Sequence, residues 1–143
     1  MQVTRSDNIE DYTAHLRSRP EEIQALFADL LISVTCFFRD APAFDYLSRD
    51  IIPKLFTNRD PDSVLRIWVP GCATGEEVYS LGILILEEAA RRELKPEIQL
   101  FASDLDSTAL ATAGEARYPL SIKSDVSEQR LQRYFTREGD NYR

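Results

Sequence analysis

The sequence has 143 residues, 43% hydrophobic and 29% charged, the composition of about one globular domain rather than a disordered chain. Seventeen Lys and Arg against 24 Asp and Glu leave a net charge of −7, so the basic footprint of a general nucleic-acid binder is missing. Two cysteines and one histidine exclude a disulfide scaffold, a Cys/His zinc site and histidine-pair catalysis, and no metal site is expected.

Residues 1–8 are polar and read as a frayed start. Asp7 or Asn8 is placed to cap a short helix, IEDYTAHLRS, which ends before Pro20. A second helix begins at Pro20 or Glu21, with Glu21 and Glu22 at the positive end of its dipole. Ile23, Leu26, Phe27, Leu30 and Leu31 form its apolar stripe. The β-branched and aromatic segment SVTCFFRD is poor helix material and reads as an irregular connection. A third helix begins at Pro42 and is expected to bury Phe44, Leu47, Ile51 and Leu55, with a kink at Pro53.

After the turn-rich TNRDPDS, residues 64–69 (VLRIWV) read as a strand. The strand runs into PGCATGEE and then a long helix, VYSLGILILEEAARRE, apolar on more than one face. IQLFAS is a second strand, closing on Asp104. Helices follow over about 107–116 and from Ser127, with Pro119 breaking the pattern between them. TREGDNYR reads as a polar tail. No apolar run approaches the ~18–20 residues of a membrane span, and no signal-peptide pattern opens the chain, so a cytoplasmic address is expected. Strand, glycine loop, helix and strand form a βαβ opening of a parallel α/β sheet. Two strands do not complete such a fold, so an unfinished sheet with an exposed apolar edge is expected, and with it a route to a homodimer.

In a βαβ unit, ligands bind beyond the carboxyl ends of the strands. Gly71 and Gly75 allow the loop backbone to approach a ligand. The pattern is G-x-x-x-G rather than G-x-G-x-x-G, and Glu76 and Glu77 follow at once, where a pyrophosphate would be repelled. A nicotinamide dinucleotide is therefore disfavoured. Asp104 is placed to accept from both hydroxyls of a ribose. Together these features favour S-adenosylmethionine, which has a sulfonium, an amino group and an unphosphorylated ribose. Each residue also has a plain structural role. Glu76 and Glu77 suit a helix N-terminus, Asp104 and Asp106 suit capping, Phe37 and Phe38 suit a core, and Arg39 suits a surface.

The blocks LLISVTCFFRDAPAF, LRIWVPGCATGEEVYSLGI, FASDLDSTALATAGEARYP and DVSEQRLQRYFTREGDNYR resemble, in order, successive blocks of the CheR family over about residues 26–143. TxFFRD and PGCATGEExYS are the specific ones. That family consists of S-adenosylmethionine-dependent methyltransferases that esterify glutamates of bacterial chemoreceptors. The wording also resembles the version found in fused methylesterase–methyltransferase sensory proteins. The resemblance implies a Rossmann-like methyltransferase fold, incomplete here, with 1–32 a remnant of an N-terminal helical region and 33–143 part of the cofactor-binding domain. It implies cofactor contacts at Ser33, Thr35, Arg39, Gly71, Gly75, Glu77 and Asp104, with Arg39 also at the reacting centre. Family members often carry Asn where Ser33 stands, and serine has a shorter reach. The implied partners are the cytoplasmic helices of chemoreceptors. A noncatalytic module serving sensory-protein assembly is the competing expectation.

Overall fold

The computed structural model describes residues 8–31, 34–57 and 63–143. The chain divides into two compact units, Met1–Ile32 and Ser33–Arg143. In the first, α1 (Ile9–Ser18) is capped by Asn8, whose side chain accepts from the Asp11 amide at 2.8 Å. α2 (Pro20–Leu30) starts on a proline, whose missing N–H costs nothing in a first turn. The Tyr12 hydroxyl donates to Glu22 across the pair at 3.4 Å.

The second unit opens with the irregular segment expected before residue 41, and Asp40 caps α3 (Ala41–Tyr46). The helical ladder then widens to a π turn over Leu47–Ile51 and resumes as α4 (Ile52–Leu55). Pro53 explains the widening, since its ring has no N–H to give and crowds the carbonyl one turn back. The extra residue of a π turn also moves the apolar stripe by one position. Phe44 and Leu47 pack on the core as expected, but Ile52 and Phe56 are buried in place of Ile51 and Leu55.

β1 (Leu65–Pro70) and β2 (Ile98–Ser103) pair in parallel, from Leu65 opposite Ile98 to Pro70 opposite Ser103. α5 (Glu76–Arg91) crosses between them and buries Ile83, Leu84, Ile85 and Ala89. A methyl on Gly82 would come within 3.1 Å of the Leu100 side chain, so the helix lies close on β2. α6 (Ser107–Glu115) is capped by Asp106, which accepts from the amides of Thr108 and Ala109.

The end of the chain corrects the expectation of a polar tail. After β3 (Tyr118–Pro119), a 3₁₀ turn (Leu120–Ser124) and α7 (Glu128–Tyr134), the segment doubles back as β4 (Arg137–Glu138) and β5 (Asn141–Tyr142). Gly139, at φ +62°, makes the turn, and β5 lies between β3 and β4. The hairpin is retained because Tyr142 joins Phe37, Tyr118, Ile122, Val126 and Leu131 in one buried cluster. Among the described residues no helix is long and apolar enough to cross a membrane.

Candidate cofactor site at the end of the parallel strands

The turn from β1 into α5 contains three left-handed residues in five: Gly71 at φ +67°, Ala73 at +45° and Gly75 at +96°. The loop is held at three successive points. The Cys72 amide donates to the Ser103 carbonyl at 3.1 Å, extending the ladder one step past Pro70. The Ala73 amide donates to Asp104 Oδ2 at 2.7 Å. A Cβ on Gly75 would sit 2.9 Å from both Ala113 Cβ and the Tyr118 hydroxyl oxygen, so only glycine fits there. A Cβ on Gly71 would meet nothing within 4 Å, so the loop backbone at Gly71 faces open space.

Asp104 follows the last residue of β2 and ties the two strand ends together. Its Oδ1 accepts from the Asp106 amide at 2.8 Å while Oδ2 holds Ala73. The amides of Asp106 and Ala73, with a smaller contribution from that of Leu105, hold its carboxyl below the usual aspartate range, against the effect of partial burial. It is therefore ionised at neutral pH. A carboxylate offers about four acceptor positions, and these two bonds leave capacity for a diol. Asp106, by contrast, does the capping work, so the two neighbouring acids have separate tasks.

The Glu77 side chain is exposed on the first turn of α5. Glu76 is half-buried and accepts from the Thr74 hydroxyl at 2.6 Å. The cap position is Gly75, which supplies no side-chain acceptor to the first-turn amides. The acids at this helix start disfavour a phosphate and suit an amine or a sulfonium.

The segment carrying Thr35 and Arg39 is braced against the same end of α5. The Phe38 amide donates to Ser80 Oγ at 3.1 Å, and the fully buried Ser80 hydroxyl donates to the Glu76 carbonyl at 2.6 Å. The Phe37 ring meets Tyr118 edge-on at 4.9 Å, and the Tyr118 hydroxyl donates to the Thr74 carbonyl at 2.7 Å. Tyr118 thus joins the segment to the loop. Burial, with the charge of Glu76, pushes its phenol strongly upward, so it stays protonated as a donor. Thr35 is half-buried, and Arg39 is exposed and donates to the Val34 carbonyl. Among the described residues no hydrogen bond joins Arg39 to the loop or to Asp104. Ser33 lies outside the described residues.

The family model described as the CheR methyltransferase SAM-binding domain matches residues 33–143. This chain belongs to the CheR methyltransferase family. It is 33% identical over 142 residues to an uncharacterised 104.1 kDa protein of Rhodobacter capsulatus, covering 99% of this chain and 15% of that protein. It is 28% identical over 142 residues to chemotaxis protein methyltransferase 2 of Vibrio cholerae, covering 98% of this chain and 49% of that one. A chemotaxis protein methyltransferase of Pseudomonas putida is 36% identical over 108 residues, covering 73% of this chain and 39% of that one. The chain thus spans half the length or less of these relatives.

S-adenosylmethionine is the cofactor of this domain. The residues present suit it: open space beside Gly71, an ionised Asp104 with acceptor capacity to spare, and acids rather than cations at the helix start. The chain joins the Gly71–Gly75 loop to Asp104 through the Ala73 amide and braces the 35–39 segment toward them through Ser80 and Tyr118. These two braces were not foreseen from the sequence. Ser80 carries a signal, as a hydroxyl on an otherwise apolar helix face. Tyr118 carries none, because its partner is a backbone carbonyl 44 residues earlier.

Proposed function

We propose that this chain is the cofactor-binding part of a Rossmann-like, cytoplasmic methyltransferase that esterifies glutamate side chains on chemoreceptor helices. The observation that carries the proposal is the Ala73 amide bond to Asp104, which ties the glycine loop to the end of the second strand. The names of the relatives from Vibrio cholerae and Pseudomonas putida support the chemotaxis context. On this reading, residues 33–143 belong to the catalytic domain, and 1–32 to a helical region before it. Further strands, or a second copy of the chain, would pair along the outer edges of β1 and β2.

Asp104 would hold the ribose hydroxyls, Glu77 the amino group, and the backbone at Gly71 and Gly75 would approach the cofactor. Ser33 and Thr35 would contact the cofactor, and Arg39 would stand near its methionine end and the reacting centre. The cofactor supplies an activated methyl on a sulfonium. The chain's own task is alignment, since a glutamate with an ordinary pKa near ~4.3 is already ionised at neutral pH and needs no general base. Holding reactants in line contributes about 7–11 kcal/mol in favourable cases. The Arg39 guanidinium would orient the incoming carboxylate.

Incubation with radiolabelled S-adenosylmethionine and purified receptor cytoplasmic helices tests the reading. The expected result is base-labile label on glutamate, strongly reduced by Arg39→Ala. Cofactor binding without any label on the helices would overturn the transferase reading and favour a noncatalytic binding module.

A further inference from the structure

We infer that Arg130 is a positioning residue for Arg39, acting through Phe38; the inference rests on the cofactor-site role proposed for Arg39. Arg130 leaves α7 and reaches two other elements at once. Its Nε–H and Nη2–H donate to the two carboxylate oxygens of Glu87 on α5, at 2.9 and 2.8 Å. Its guanidinium lies over the Phe38 ring, 4.3 Å from the centroid. A forked pair fixes the guanidinium plane, and that plane then sets where the ring can lie. Phe44 closes on the ring edge-on at 5.4 Å, and Ser80 takes the Phe38 amide.

The backbone explains why so many restraints meet on one residue. Phe38 stands at φ +52°, in the left-handed region that a bulky side chain occupies only where its surroundings enforce it. Arg130, Phe44 and Ser80 are those surroundings. Arg39 is the next residue, so the direction in which it leaves the chain follows from the torsions of Phe38. Loss of the guanidinium face frees the ring, and the turn relaxes toward ordinary φ. Arg39 then departs on a different line. Arg130 is 26 residues beyond Asp104 in sequence and touches no residue proposed to meet the cofactor, so its effect on binding is indirect.

The test uses Arg130→Gln, Arg130→Lys and, as a milder variant that keeps the stacked cation without the fork, Glu87→Gln. Hydrogen exchange at the Phe38 amide is expected to quicken about tenfold or more in Arg130→Gln while the core of α5 stays protected. S-adenosylhomocysteine binding is expected to weaken about fivefold or more, without rescue by Lys. That loss is expected to vanish in an Arg39→Ala background, because the two residues act in series. Unchanged exchange at Phe38 in all three variants overturns the clamp. Additive losses in the double variant overturn the link to Arg39 and leave a plain stabilising pair. A wild-type protein that binds no S-adenosylhomocysteine overturns the cofactor reading and the link to it, while the exchange arm still judges the clamp.

Discussion

Gly71 and Gly75 both hold left-handed backbone, yet the space beside them differs, and that difference separates stability from binding. At Gly75 an alanine would meet Ala113 and the Tyr118 hydroxyl as well as the wrong backbone region. Gly75→Ala is expected to cost about 2–4 kcal/mol, read from a chemical melt. Gly71→Ala meets no atom, so only the backbone preference remains, about 1–2 kcal/mol. Its methyl would instead point into the open space beside the loop and weaken S-adenosylhomocysteine. Equal loss of stability in the two variants would contradict this contrast. Asp104 gives a second residue-level prediction. Its folded pKa lies below its unfolded value, so its contribution is present above about pH 4 and is lost as pH falls toward the folded value. Thermal melts of Asp104→Asn should therefore show a flatter acid limb than the parent protein. An identical acid limb would show that the loop amides do not hold the carboxylate in solution. The placement of Gly71, Gly75, Glu77 and Asp104 around one strand–loop–helix junction is legible in the sequence, because they sit at fixed offsets from strand ends. Tyr118 and Arg130 are not legible there, since each acts across more than 40 residues on a partner the local pattern does not name.

At the scale of elements, α5 anchors the second unit at both ends. Near its start, Ser80 and the glycine loop hold the site. Near its end, the buried Glu88 accepts from Arg91 at 2.7 Å through each oxygen and also pairs with Arg92. Arg92 in turn donates to the Pro53 carbonyl at 3.0 Å and lies 5.8 Å from the centre of the Phe56 ring. This contact fastens the π-turn segment to the helix. The two hydrogen bonds from Arg91, joined by the one from Arg92, keep the Glu88 carboxyl below the usual glutamate range despite burial. Arg91 is mostly exposed, so water screens what its pairing adds to stability. Glu88→Ala leaves the half-buried Arg92 without its carboxylate and is expected to cost about 2 kcal/mol in a denaturant midpoint experiment. No measurable change would reduce the cluster to a surface pairing. Element boundaries were legible where caps and prolines mark them, as at Asn8, Pro20, Asp106 and Ser127. The shifted burial of Ile52 and Phe56 was not, because a π turn obeys a spacing that ordinary helical periodicity lacks. The hairpin over 137–142 was hidden by its polar composition. Tyr142 alone anchors it in the core, and a single aromatic in eight residues gives no alternating pattern.

At the scale of the molecule, one face of the parallel sheet is buried and the other is not. Leu65, Ile67, Val69, Ile98 and Leu100 face the packed core, while the cross-strand partners Trp68 and Phe101 are 68% and 52% exposed on the opposite side. The chain spans half or less of the length of these relatives. The junction between the glycine loop and Asp104 is formed by residues of this chain, through the Ala73 amide bond to the Asp104 carboxylate. Calorimetric titration of S-adenosylhomocysteine into the chain tests that claim most directly. The account predicts saturable binding in the micromolar range, weakened about 10–100-fold by Asp104→Ala, as the loss of a charged hydrogen-bond acceptor requires. No heat of binding at millimolar ligand, or equal affinity in the parent protein and Asp104→Ala, would contradict it.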